Sequence, residues 1–232
     1  MAVADPETDL DALIRRVDPD RWLTSRFIAD PAARADVVAL YAFDHELARA
    51  PRAASSALLA EIRLTWWREV LDEIFAGGAP RHHPVAEALG EAVRRRGLQR
   101  APLEAMIDGQ IEALDMADLD QTAALAWADA VQGSAASLAA TILDPASPAA
   151  PAAVAGRAWG LALLIRAGVL PRETAAAPLR AALEAARTGR LSVAALPAAL
   201  PARLARFDLA GRTPGPLAKR LSLVLAAATG RL

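Results

Sequence analysis

Apolar residues recur at intervals of three and four through most of the chain, which is the spacing of α-helices that bury one face. The strongest case runs from about Leu58 to Phe75, where two apolar ridges cover more than half of the helix surface. The ridges are Ile62, Trp66, Val70 and Ile74, and Leu64, Trp67, Leu71 and Phe75. Because so apolar a helix belongs in the middle of a bundle, we predict that it is central and that Trp66 is largely buried.

Capping residues and prolines divide the rest of the chain into further helices. Asp18 and Asp30 are each followed by proline, the signature of a helix start, and Pro51 should end the helix that Asp30 opens at about Arg49. Further helices are predicted at about 7–17, 21–27, 85–96, from 102 onward, 122–143, 153–169 and 216–229. Prolines after position 170 indicate short helical pieces. No strand is indicated, and we predict one all-α domain over residues 1–232.

Charged residues on the 58–75 helix lead to two predictions, one about the surroundings of Arg63 and one about an ion pair within the helix. Arg63 lies on its apolar side, where a guanidinium is costly unless it is paired or faces a wet cavity. We therefore expect a cavity or a carboxylate there, with Glu46 and Asp44 as the nearest acids. Arg68 and Asp72 are four residues apart and oppositely charged, so they are spaced to pair with each other.

Three acidic residues share one face of the helix that begins near position 102. They are Asp108, Glu112 and Asp115, and they could hold a divalent cation together with a diphosphate. They also lie roughly opposite the apolar stripe of the helix, which is typical of a solvated face. Both interpretations remain open from the residues alone.

Composition excludes several classes of protein. With 26 basic and 27 acidic residues the net charge is -1, so no overall field recruits nucleic acid. The absence of cysteine excludes disulfides and thiolate metal sites and fits a reducing cytoplasm. The acidic N-terminus is unlike a signal peptide, and the apolar stretch at 158–165 is far shorter than the roughly 20 residues of a spanning helix. We expect a cytoplasmic protein without a transmembrane segment, at most peripheral to a membrane.

Sequence motifs of common catalytic sites are missing. The three histidines, His45, His82 and His83, lack the spacing of a zinc site. No phosphate-binding loop, dinucleotide fingerprint or nucleophile elbow is present.

Four stretches, with a weaker fifth, stand out by their order and spacing. They lie at 20–27, 40–43, 66–71 and 83–109, and the weaker one lies at 156–166. Together they resemble the squalene/phytoene synthase family, the all-helical head-to-head prenyl synthases. The resemblance covers about residues 20–170 and implies an isoprenoid-synthase-like helical bundle. In active members two aspartate clusters hold magnesium against the substrate diphosphate.

Both aspartate clusters are missing at the matching positions. Ala48, Arg49 and Arg52 stand in place of the first, and Ala167 and Pro171 in place of the second. Magnesium requires oxygen ligands, which these side chains do not supply. The resemblance therefore implies no catalytic residue, no metal ligand and no cofactor.

Other residues are candidates for what remains of the site. Those that could line the cavity or grip a diphosphate are Tyr41, Arg49, Arg52, Arg63, Trp67 and Arg166. If catalysis persisted with magnesium, it would depend on displaced acids, namely Asp44, Glu46, Asp108, Glu112 and Asp115.

Three functional interpretations follow. Family members without the aspartates resemble assembly factors for respiratory complex I, and the stretches at 20–27 and 66–71 are most similar to that branch. The leading interpretation is a non-catalytic assembly or scaffold factor with a respiratory-complex subunit as partner, cytoplasmic or peripheral to the inner membrane. The alternatives are an active prenyltransferase that uses prenyl diphosphates, and an isoprenoid or lipid carrier. No nucleic-acid partner is expected.

Overall fold

All regular structure in the described part of the chain is helical. The computed structural model describes residues 9–54, 56–78, 81–115 and 120–232. The helices are α1 Leu10–Val17, α2 Pro19–Ser25, α3 Pro31–Arg52, α4 Ala57–Phe75, α5 Pro84–Arg96, α6 Arg100–Glu112, α7 Gln121–Trp127, α8 Ser134–Leu143, α9 Ala150–Arg166, α10 Arg172–Thr188, α11 Leu196–Leu209 and α12 Pro216–Thr229. A π-helical stretch, Ala128–Gly133, joins α7 to α8. The all-α prediction is confirmed.

Local capping signals place the helix starts well. Asp18 accepts a hydrogen bond from the backbone N–H of Arg21 at the start of α2, and Asp30 accepts from the N–H of Ala33 at the start of α3. These bonds satisfy N–H groups that have no partner within the helix. The first helix begins at Leu10, directly after its capping residue Asp9, and positions 7 and 8 of its predicted span lie outside the described residues.

Prolines end helices less strictly than the sequence predicts. Helix α3 continues through Pro51 to Arg52 instead of stopping near Arg49. Pro51 lies in the last turn, where the missing N–H removes one bond, and the helix still closes when the N–H of Ala53 donates to the carbonyl of Arg49 at 2.9 Å. Pro178 likewise lies inside α10, which is 17 residues long, so the prediction of only short pieces in this region is wrong.

Two hydrophobic clusters form the interior. The first lies between α1, α3, α5, α6, α8 and the inner face of α4, and the second is built around α9, α10 and α11. Helix α9 packs directly on the π-helical stretch, because a Cβ atom on Gly156 would clash with the carbonyl oxygen of Gln132. Leu191 packs against both clusters. The single-domain organisation expected from the sequence stays a prediction.

Helix α4 lies at the edge of the first cluster and not at its centre, so the predicted central position is wrong. Its inner face is buried, with Trp67 only 4% exposed. Its outer ridge is not covered at the start of the helix, where Ile62 is 55% exposed and Trp66 is half-buried. The sequence shows that both ridges are apolar, but α3, α5 and α6 cover only one of them along its whole length.

The charged wall of α4 pairs with α6 and not within itself. Arg68 forms a salt bridge with Asp108, and Asp72 forms one with Arg100. Because α4 and α6 pack side by side, each charge finds a partner across the helix interface. The pair expected between Arg68 and Asp72 is therefore not formed.

Candidate functional site

The interior between α3 and α9 is the first candidate region. The C-terminal end of α3 carries Ala48 and Arg52, and Ala167 immediately follows α9, so these two helices bear the positions that match the aspartate clusters. The short helix α2 lies against this interior and contributes Asp20 and Arg21, both buried. What these two residues contact decides the character of the site.

Arg21 lies in the interior and binds acidic and aromatic side chains there. Its Nη1 donates to Asp44 Oδ2 at 2.6 Å, and its guanidinium stacks 4.8 Å from the centre of the Tyr41 ring. Gln132, from the π-helical stretch, donates through Nε2 to the same Asp44 oxygen at 3.1 Å. The buried carboxylate of Asp44 on α3 thus connects that helix to α2 and to the π-helical stretch.

The electrostatics of this cluster follow from burial and pairing. Burial acts to lower the pKa of Arg21, but the carboxylates of Asp44 and Asp18 outweigh it and raise that pKa above its usual value. Burial is also the main reason that the pKa of Tyr41 is raised to about 12. Arg21 is therefore charged and Tyr41 is protonated at neutral pH. Neither group is suited to exchange protons with a substrate.

Asp20 holds a second ion cluster at the end of α9. It accepts from Arg166 Nη1 at 2.9 Å and from Lys219 Nζ at 2.6 Å. Arg166 also makes a two-pronged contact with Asp208, with both bonds at 2.8 Å, and it stacks over Trp159. Arg166, which the sequence suggests as a diphosphate ligand, is occupied by the protein's own acids.

Little space remains in this interior. The cavity bordered by Arg21, Tyr41, Gln132 and Trp159 has a volume of about 10 Å³. A single water molecule already needs about 10–15 Å³, and pockets for organic ligands occupy about 300–1,000 Å³. The chain's own side chains fill this interior.

The positions that match the aspartate clusters do not fit the magnesium ions of the active prenyl synthases. Ala48, Arg52 and Ala167 offer no side-chain oxygen, and the nearby carboxylate of Asp44 is neutralised by Arg21. Elsewhere in the described ranges, no three His, Asp or Glu side chains come together in a way that could hold a metal.

An open pocket lies on the other side of α3. It has a volume of about 310 Å³ and is bounded by the end of α3, by α4 and by the start of α5. Arg63, Trp67 and His83 line it, together with Glu46 and Arg49. Arg63 is exposed at this open pocket, which is separate from the interior between α3 and α9.

The pocket wall is aromatic and carries an excess of hydrogen-bond donors. The rings of Trp67 and His83 meet edge to face with their centres 5.2 Å apart. Arg49 donates to Glu46 at 2.7 Å, so this acid is already paired. Within the described ranges Arg63 forms no ion pair, and the predicted pairing with Glu46 or Asp44 is not formed.

The remaining candidates are spread over the surface. Arg52 is exposed and donates to the carbonyl of Ala48 in its own helix. Asp108 pairs with Arg68, and Glu112 is exposed. The side chain of Asp115 lies outside the described residues. The displaced acids thus do not gather at one site in the part that is described.

Sequence reasoning missed the residues that close the interior. Asp20, Arg21 and Gln132 were not among the candidates, although Asp20 and Arg21 lie in the stretch at 20–27 that resembles the family. The available signal was an acid and a base side by side in a short helix otherwise rich in apolar residues. The partner residues are 23 to 199 positions away, so no local pattern reveals them.

The family model for squalene/phytoene synthase matches residues 14–169. The chain belongs to the squalene/phytoene synthase family. A crystal structure of a dehydrosqualene synthase superimposes with a TM-score of 0.78 over 95% of this chain and 94% of that chain, at 17% sequence identity. At this identity the likeness concerns the fold, and it confirms the isoprenoid-synthase-like helical architecture.

Curated relatives carry the name NADH dehydrogenase (ubiquinone) complex I, assembly factor 6. The protein from Bos taurus is 35% identical over 104 residues, which are 44% of this chain and 30% of that protein. The Homo sapiens protein is 33% identical over the same length, and a homolog from Dictyostelium discoideum is 24% identical over 116 residues. The match thus spans about a third of the length of these relatives.

Proposed function

We propose that this protein is a non-catalytic member of the squalene/phytoene synthase family that supports the assembly of a respiratory complex. The observation that carries the proposal is the sealed interior, where Arg21 neutralises Asp44 in a space of about 10 Å³. Ionising a prenyl diphosphate would require metal ions and room for the chain, and neither the donor set nor the volume provides them. The names of the curated relatives supply the respiratory complex as the partner.

The first test is for prenyl transfer. Purified protein is incubated with radiolabelled farnesyl or geranylgeranyl diphosphate and excess magnesium, with a dehydrosqualene synthase as positive control. We expect no hydrocarbon product above a no-protein control. Product that disappears in Asp108→Asn or Glu112→Gln would overturn the proposal and place a working site on α6.

The second test is for assembly. The gene is deleted in the source organism, and the amount of assembled respiratory complex I is measured on native gels and by NADH oxidation in isolated membranes. We expect both to fall and to be restored by the wild-type gene. Normal assembly in the deletion strain would contradict the proposal.

The carrier alternative predicts copurified isoprenoid or lipid. The interior volume speaks against it, because a chain of isoprene units would have to displace the buried Arg21 and Tyr41 cluster. Mass spectrometry of organic extracts from the purified protein separates the two proposals. We expect no isoprenoid in stoichiometric amount.

A peripheral position at an anionic membrane is a further part of the proposal. One face of α12 is apolar and exposed, formed by Leu217, Leu221, Val224 and Leu225. The opposite face, with Leu223 and Ala226, is buried. Residues 210–232 contain Arg212, Lys219, Arg220 and Arg231 and no acidic residue. An apolar stripe in a basic segment suits an anionic lipid surface. No helix among the described residues is both long and apolar enough to cross a bilayer.

Sedimentation with lipid vesicles tests this part. We expect binding to vesicles that contain phosphatidylglycerol and weaker binding to phosphatidylcholine alone. Leu221→Asp should reduce the binding, whereas Val193→Asp, at an apolar residue exposed outside α12, should not. Equal binding of the two variants would rule out α12 as the contact.

A further inference from the structure

One apolar ridge of α4 runs from the core out to the surface. Val70 and Ile74, at its C-terminal end, are buried. One and two turns earlier, Trp66 is half-buried and Ile62 is 55% exposed, and Leu58 at the start of the helix is 66% exposed. Residues four apart form one continuous ridge that turns about 40° around the helix at each step, so its start lies on a different side of the helix from its buried end. The described part of the chain leaves Leu58 and Ile62 exposed, whereas Arg81 and His83 partly cover Trp66.

The exposed ridge adjoins the open pocket of about 310 Å³. Trp66 borders both features, since it lines the pocket and also the shallow hollow beside Ile62 and Leu58. Behind it, Trp67 and Phe43 meet edge to face with ring centres 5.3 Å apart. The back of the pocket is therefore rigid and aromatic, a property that favours anchoring of an apolar side chain.

The polar groups of the pocket favour a carboxylate as ligand. Arg63 has no ion-pair partner among the described residues, while Arg49 is held by Glu46. The Nδ1 atom of His83 accepts a bond from the N–H of Val85, and burial lowers the pKa of His83, which favours the neutral ring. Its proton then lies on Nε2, which is a donor. The pocket lining thus contains the guanidinium groups of Arg49 and Arg63 and the ring N–H of His83. Its only carboxylate among the described lining residues is Glu46, which Arg49 already pairs.

We propose that the outer ridge of α4 and the adjoining pocket form the docking site for a segment of a partner protein that carries a single carboxylate beside an apolar side chain. The segment inserts an apolar side chain against Trp66 and Trp67 and places a carboxylate on Arg63. This inference rests on the proposed function, because the assembly role supplies the partner. Tryptophan and arginine are the residues that dominate binding energy at protein interfaces.

The observations favour a protein segment over a membrane at this site. Glu61 and Glu69 border the ridge beside Ile62, and both would be repelled by an anionic lipid surface. A concave pocket also has no complement in a flat bilayer. An unpaired arginine at the rim of an aromatic pocket is complementary to a carboxylate beside an apolar residue.

The test uses the intact protein in the gene-deletion strain described above. Plasmids supply the wild type, Ile62→Asp, Arg63→Glu and two matched controls, Val193→Asp and Arg180→Glu, which make the same changes at exposed residues elsewhere. Assembled complex I is measured on native gels, and the level and thermal unfolding of each variant show that it is folded. We expect the two α4 variants to lower assembly roughly tenfold, as the loss of about 1.4 kcal/mol of binding would, and the controls to match the wild type.

The outcomes separate the two proposals. If the deletion strain assembles complex I normally, the proposed function fails. If deletion abolishes assembly but folded Ile62→Asp and Arg63→Glu restore it fully, the function stands and the docking site is wrong. Light scattering on the purified protein gives an independent check, since a dimer that Ile62→Asp dissociates would show that a second copy covers the ridge and would overturn the proposal.

Discussion

The interior between α3 and α9 and the pocket beside α4 differ in how their charges are satisfied. In the interior, Arg21 is bonded to Asp44, and Arg166 is bonded to two acids. In the pocket, Arg63 has no acidic partner within the described ranges. Burying an unpaired charge is costly, whereas a charge at a wet rim costs little. The comparison teaches that the charges of the interior are satisfied within the fold, whereas the open pocket at the edge of the first core leaves the Arg63 guanidinium available for a ligand.

The largest effect should come from removing the buried acid. Asp44→Ala leaves Arg21 charged and without its main partner, and it should lower the free energy of unfolding by about 3–5 kcal/mol. The control is the double change Arg21→Met with Asp44→Leu, which removes both charges and should cost far less. Urea unfolding followed by circular dichroism measures both. A loss below about 1 kcal/mol for the single variant would show that the interior pair is not structural.

The two adjacent tryptophans should differ clearly. Trp67→Ala should cost about 3–5 kcal/mol, because the side chain is 4% exposed and packs on Phe43. Trp66→Ala should cost about 1–2 kcal/mol, because this side chain is only partly buried. The sequence-based prediction concerned the burial of Trp66, and the structure shows that Trp67 is the more completely buried of the two. Equal losses would mean that the pocket is closed in solution.

A smaller effect should appear as a pH dependence at His83. Burial lowers its pKa in the folded protein, so the unfolded chain, with a histidine pKa of about 6.5, takes up the proton first as the pH falls. The stability that the neutral His83 contributes is fully present above about pH 6.5. It is lost as the pH falls from there toward the pKa of His83 in the folded protein. His83→Asn keeps a side-chain cap for α5 and cannot titrate. The wild type should lose more stability than this variant between pH 7.5 and 5.5. The nearby Glu46 and Glu87 act to raise the pKa of His83 and Arg49 acts to lower it, but burial has the largest effect.

The smallest effect on stability should come from Arg63. Because it pairs with no described acid and is exposed, Arg63→Ala should change the free energy of unfolding by less than about 0.5 kcal/mol. The same denaturation measurement compares it with Asp44→Ala. A loss of several kcal/mol would reveal a partner that supports the fold, and the contrast between the two regions would disappear.

Local features of the fold could be predicted because their causes lie within a few residues. Asp30 with Pro31 opens α3, and the break after Phe75 ends α4, as expected. The side of a helix that receives a neighbour depends instead on distant segments. The sequence could not show that α6 would present Asp108 to Arg68, or that α5 and α6 would leave Ile62 exposed.

For the candidate site, the sequence showed only which residues of the family pattern are absent. The missing aspartates are visible in the sequence, because Ala48, Arg52, Ala167 and Pro171 stand at the matching positions. Residue type alone shows whether a side chain can supply an oxygen ligand. The residues that took over the space could not be found in this way. Arg21 meets Asp44 and Gln132 only after α2, α3 and the π-helical stretch have packed together.

The sequence by itself determined the helical class, most helix starts and the family. Each of these depends on residue type, on spacing of three and four, or on an ordered set of motifs. Only the tertiary structure decided that Arg166 binds Asp20 and Asp208, that the interior is closed, and that the start of α4 lies open beside Arg63. The physical reason is that burial and ion pairing are properties of several helices at once, and periodicity within one helix cannot specify which neighbour covers it.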